Sequence, residues 1–121
     1  MADNFEDVMR LARELGGAIR KHERYLKLRQ ADDRVRADKS ATDALSAYNK
    51  AAEEVGRKEQ AGHPIEVEDK RRLQHLHEIV AANEAVKAFM VSQADYAELM
   101  RRMNDAIFRA IAEPESPPPK A

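Results

Sequence analysis

Two seven-residue series run in step through the C-terminal third of the chain. One is Val86, Gln93, Met100 and Ile107; the other is Phe89, Tyr96, Met103 and Ala110. Interleaved at three- and four-residue steps, they draw one apolar stripe along an α-helix, the a/d seam of a coiled-coil-like surface. A strand cannot carry such a stripe, because its side chains alternate with a period of two. Gln93 is the polar member of the seam. Either it fixes register or partner number at a cost in stability, or the seam is open to water at that level.

The remaining segments read the same way. Phe5, Val8, Ala12, Leu15 and Ile19 share one face of a helix from about Asn4 to Lys21, with Asp3 or Asn4 as its cap. Gly16-Gly17 interrupts this helix at about 1 kcal/mol per glycine relative to Ala. The pair marks a bend or a closely packed neighbouring backbone, and close packing is the expectation. A second helix covers Glu23 to about Arg36, carried by Tyr25, Leu26, Leu28 and Val35. Asp38 or Ser40 can cap a third, whose seam is Ala41, Leu45, Tyr48, Ala52 and Val55. Gly62 suits the left-handed position after a helix end, and Pro64 prevents resumption. Glu66, Glu68 and Asp69 suit the positive end of a fourth helix bearing Leu73, Leu76, Ile79 and Val80. Asn83 caps a fifth helix or marks a kink.

With 121 residues, 36% charged, 5% aromatic, four Gly and no strand-like alternation, the chain is predicted to be all-α. The expected architecture is an elongated bundle of about five helices in a single domain over residues 1–112. Residues 113–121 form a Pro-rich tail expected to be disordered. Thin amphipathic helices bury little core in a monomer, which makes a homo-oligomer the expected state. The residues expected to carry it are Val86, Phe89, Gln93, Tyr96, Met100, Met103 and Ile107.

Little in the sequence points to catalysis. There is no cysteine, which removes disulfides, thiol nucleophiles and thiolate-bound metal clusters. His75 and His77 are two apart, roughly 200° around a helix, the wrong spacing for one metal ion. His77-Glu78 begins like a zinc-protease helix, but Ala81 stands where the second His belongs. Di-iron bundles need Glu three residues before a His, and those positions hold Ile19, Gln60, Arg72 and Gln74. No serine lies in a nucleophile elbow and no glycine loop cradles phosphate. No cofactor and no metal are expected. No run resembles a signal peptide or spans a bilayer, so a cytoplasmic address without membrane contact is expected.

One charge feature stands out against a formal net charge of −1. Residues 20–39 hold eight Lys or Arg against four acids, a local net of +4. Arg20, Arg24, Tyr25, Lys27 and Arg29 are therefore a candidate surface for a protein partner. The alternative is a small RNA-binding accessory protein using the same segment, with phosphate contacts but few stacking aromatics.

The order and spacing of these residues resemble the YlbF/YmcA family of small bacterial helical regulators, which includes YheA-like proteins. The resemblance runs from Val8 to Ile111. It is carried by Ala12, Leu15-Gly16, Ile19 and Tyr25, then Asp38, Ala41, Leu45, Tyr48 and Gln60-Ala-Gly62. It continues through Leu73, Leu76, Ile79 and Asn83, then Val86, Phe89, Tyr96, Leu99, Asn104 and Ile107. Glu84 replaces the Pro that commonly follows the asparagine, and the tail lies outside the pattern. The resemblance implies a helical bundle assembling as dimers or higher oligomers, and a non-enzymatic regulatory or adapter role. It implies partners among regulatory proteins, family paralogues or a ribonuclease, in competence, sporulation, biofilm formation and ribonuclease-Y-linked mRNA processing. Some such complexes carry iron–sulfur clusters on family cysteines; this chain lacks those cysteines.

Overall fold

The computed structural model describes residues 4–113. Asp3, one candidate cap, and the Pro-rich tail beyond Glu113 lie outside the described residues. Among the described residues there are five helices and no strand: α1 (Phe5–Lys21), α2 (Glu23–Ala37), α3 (Lys39–Gln60), α4 (Val67–Ala82) and α5 (Glu84–Ala112).

Each boundary has a local cause. Asn4 occupies the cap position of α1, but its side chain makes no capping hydrogen bond. His22 adopts extended backbone, ends α1, and starts α2 by accepting the Arg24 backbone N–H at Nδ1, 3.0 Å away. Of the two candidates for α3, Asp38 is the cap: its Oδ1 accepts the Ala41 N–H at 3.2 Å, while the Ser40 hydroxyl donates to it at 2.7 Å. Gly62 takes φ +75°, the His63 N–H reaches back to the Lys58 carbonyl, and the Gly62 N–H to that of Glu59. This is the Schellman ending that a left-handed glycine permits. Asp69 accepts the Glu66 N–H at 3.2 Å and so starts α4. Asn83 proves to be a cap between two separate helices, accepting the Val86 N–H at 3.1 Å on extended backbone.

The helices associate as two antiparallel pairs. In the α3–α4 hairpin, Lys58 meets Asp69 at 2.7 Å, Glu54 meets Arg72 at 3.7 Å, and the Tyr48 and His77 rings lie 5.9 Å apart. In the other pair, the Tyr25 and Tyr96 rings sit 5.9 Å apart and Arg24 donates to the Asp95 carbonyl at 3.0 Å; Val35 joins Val86 at the opposite end. The pairs meet where α2 and α4 end and α3 and α5 begin. There Val35, Ala41, Ala85 and Val86 form the core, flanked by Leu45, Val80 and Phe89. A polar strap crosses the same junction, because Asn83 Nδ2 donates to Ser40 Oγ at 3.3 Å and thereby ties the α5 cap to the α3 cap.

The expected close packing at Gly16-Gly17 is not found within the chain. A Cβ on either glycine would meet nothing within 4 Å, and α1 runs through both without interruption. The reason is that α1 touches the rest of the described molecule mainly near its C-terminal end. Leu15, Ala18 and Ile19 face Leu99 and Met103 of α5 there, around a small apolar gap.

Candidate functional site

The interior is small. Among the described residues only Ala31, Val35, Ala41, Ala51, Ala85 and Val86 are buried, and none of them is large. Most Leu, Ile, Met and Phe side chains therefore stay partly wet, and they are exposed in two apolar regions.

The first is a cleft of about 460 Å³ at the four-helix junction, lined by Val35, Leu45, Val80, Val86, Phe89 and Met90 with Asp32, Tyr48, Asn49 and His77 among its walls. Its apolar lining comes from the seam residues of four different helices. The tilted Tyr48–His77 ring pair lines one part of it.

The second comprises exposed apolar side chains of α1 and of the C-terminal third of α5. Projected at 100° per residue, Val8, Leu11, Leu15, Ala18 and Ile19 occupy one half of α1, and Glu6, Asp7, Arg10, Arg13, Glu14, Arg20 and Lys21 the other. Yet α1 buries no residue: Val8 is 52% and Leu11 55% exposed. On α5, Phe108 is 66% and Ile111 73% exposed. The sequence series named neither Leu11 nor Phe108. The sequence does carry a signal for Leu11, since Val8, Leu11, Leu15 and Ala18 follow three–four–three spacing.

The structure divides the predicted seam. Val86 is buried, Phe89 packs on the core and Tyr96 lies against Tyr25, so this half is occupied within the chain. Met103 faces α1, Met100 is half-buried, and Gln93 and Ile107 are exposed. Gln93 is exposed although it lies between the packed Phe89 and Tyr96.

The basic segment is divided too. Lys27 pairs with Glu23 at 2.9 Å, Arg36 with Asp32 at 3.0 Å, and Arg24 with a backbone carbonyl. Arg20 and Arg29 project to solvent, whereas Tyr25 is turned towards Tyr96. The Lys27–Glu23 hydrogen bond raises the lysine pKa and lowers that of the glutamate, leaving both charged at neutral pH.

The histidines are dispersed: His22 caps α2, His63 closes the Schellman turn, His77 packs on Tyr48 and His75 is exposed. Among the described residues no three His, Asp or Glu side chains gather as a metal-binding group.

Five helices, a minimal core and exposed apolar faces define a small all-helical protein. The family comparison is specific about which kind. Residues 8–112 match the family described as control of competence regulator ComK, YlbF/YmcA, and the chain belongs to that family. It is similar to the UPF0342 protein YheA of Bacillus subtilis (strain 168), 27% identical over 113 residues, covering 93% of this chain and 94% of that protein. It is also similar to a UPF0342 protein of Limosilactobacillus fermentum, 24% identical over 102 residues, or 84% of this chain and 85% of the relative. The family description places the chain among regulatory proteins. No helix among the described residues is long and apolar enough to cross a membrane.

Proposed function

We propose that this chain is a cytoplasmic, non-enzymatic adapter that regulates by binding proteins, both copies of itself and other regulators. One observation supports this reading above others: α1 has a half-circumference apolar face on which no residue is fully buried, with Val8 and Leu11 more than half exposed. An isolated 17-residue helix is marginal in water, and helices in proteins owe their stability to packing of the apolar face. A face of this kind is stable when another protein covers it. The family description, control of competence regulator ComK, supports a setting in competence control; the proposal extends it to complexes in sporulation, biofilm control and ribonuclease-Y-linked mRNA processing.

The test is affinity purification of the tagged chain from its native host, with mass spectrometry, alongside a deletion strain scored for competence. The expected result is reproducible recovery of a second family protein or a ribonuclease, together with an altered competence phenotype. Recovery of RNA with no stoichiometric protein would overturn the reading and favour the basic segment as an RNA site.

A further inference from the structure

We propose that the cleft at the four-helix junction is a binding site for a small organic cation, an amine carried on an aromatic or short aliphatic body. This goes beyond the adapter reading, because it gives the molecule a ligand of its own, held where its two helix pairs meet.

Size comes first. The cleft holds about 460 Å³, within the range of about 300–1,000 Å³ that small-molecule sites occupy. Three turns of helix with their side chains fill roughly 1,200 Å³, so the cleft is too small to seat one. Its apolar part is made by Val35 and Val86 of the core, with Leu45, Val80 and Phe89 packed on them. That lining suits a ligand body without polar groups.

Charge selects the head group. Asp32 is the one acidic residue in the cleft walls, and no Lys or Arg lines them. Arg36 reaches the Asp32 carboxylate at 3.0 Å, but the pair is spaced i,i+4 along α2 and Arg36 is 77% exposed. Such surface pairs contribute little, and one contact leaves acceptor sites free on a carboxylate. The same walls carry the Tyr48 and Phe89 rings, and aromatic faces attract cations. An anionic ligand would meet Asp32 with no cation in the walls to offset it.

Polar groups at the cleft are available to orient the ligand. Tyr48, Asn49 and His77 all line it, and among the described residues the Tyr48 hydroxyl, the Asn49 amide and the His77 ring nitrogens have no hydrogen-bond partner. A few polar groups set around an apolar pocket are what fix orientation in a small-molecule site.

The test uses three probes that share a phenylalkyl body and differ in head group: 4-phenylbutylamine, 4-phenylbutanol and 4-phenylbutyrate. Each is titrated into the ¹⁵N-labelled full chain and followed by amide chemical shifts and calorimetry. The amine is expected to bind saturably, with its largest shifts at Val35, Leu45, Val80 and Phe89. It should bind about fivefold more tightly than the alcohol, and the carboxylate should bind most weakly. Asp32→Asn should abolish the preference for amine over alcohol and leave the alcohol's affinity unchanged, a separation that unfolding would not produce. Ala81→Phe puts a ring at an exposed position of the cleft wall and should block all three probes with helicity retained. Should Ala81→Phe lose helicity, Asp32→Asn decides alone. The proposal is overturned if the amine does not saturate, if its shifts fall outside the cleft, or if alcohol and carboxylate bind as well as the amine. Recovery of protein partners from the host does not depend on these outcomes, so failure here leaves the adapter reading standing.

Discussion

Single side chains set the boundaries in this fold, and identical substitutions have opposite outcomes depending on where they fall. Gly62 holds φ +75° at the end of α3, a conformation that costs an L-residue roughly 1–2 kcal/mol. Gly62→Ala is expected to destabilise by about that amount. Gly56 lies inside α3 with ordinary backbone angles, and a Cβ there would meet nothing within 4 Å. Gly56→Ala should instead stabilise by about 0.5–1 kcal/mol through helix propensity and a less flexible unfolded chain. Urea titrations of the two variants check the pair; a shift of the same sign in both would contradict the assignment. Asn83 does two jobs, accepting the Val86 N–H and donating to Ser40. Asn83→Ala loses the cap and the strap together, an expected loss of about 1–2 kcal/mol. The role of His22 was not legible in the sequence, because histidine is not among the usual capping residues; the chain's turn between α1 and α2 brings Nδ1 to the Arg24 N–H. Asp38 and Asn83 were legible, since a short polar acceptor before an apolar periodic run is itself the cap signal.

Among the elements, α5 is divided between two environments, and the same chemical change should read differently in each. Phe89 packs against the buried core, so Phe89→Glu must desolvate a carboxylate there and is expected to unfold the junction, with most helicity lost. Met103 lies near the opening between α1 and α5, so Met103→Glu should leave α2–α4 helical and release α1. Circular dichroism with hydrogen exchange distinguishes these outcomes, and equal loss of protection throughout both variants would contradict the division. The basic α2 segment makes a separate prediction. With Arg24, Lys27 and Arg36 engaged within the chain and Tyr25 turned to Tyr96, RNA affinity is expected to be weak, sequence-independent and steeply salt-dependent. Fluorescence anisotropy across a salt series, with Arg24/Lys27/Arg29→Ala as comparison, decides this. Tight sequence-selective binding lost in that variant would promote the RNA-binding reading.

At the scale of the whole molecule, the ties that join the elements share one pH dependence. The Ser40 hydroxyl and the Ala41 N–H lower the pKa of Asp38 at the junction, and the Lys58 ammonium with the Glu66 N–H lowers that of Asp69 in the hairpin. A carboxyl whose folded pKa is depressed contributes stability above its unfolded value, about 3.9 for Asp, and loses that contribution as pH falls through the folded value. Thermal stability should therefore be level above about pH 5 with respect to these groups and decline below about pH 4. Asp38→Asn and Asp69→Asn should shift the melting temperature less between pH 5 and pH 3 than wild type does. An unchanged acid response in both variants would place the pH sensitivity elsewhere.

The sequence alone determined the secondary structure, because helical periodicity, caps and the Gly62-His63-Pro64 stop are local properties written within a few residues of where they act. It also determined the family, through the order and spacing of seam residues over residues 8–112. Which apolar face meets which was a tertiary decision. The seam of α5 and the face of α1 look alike as patterns, since periodicity records that a stripe exists and carries no information about what covers it. The antiparallel seating of α2 on α5, closed by Ala41, Leu45 and Val80 of α3 and α4, buries Val86 and engages Phe89 and Tyr96 within the chain. The same seating leaves Phe108 and Ile111 exposed, because α2 is 15 residues long and α5 is 29, and a shorter helix cannot cover the whole of a longer one.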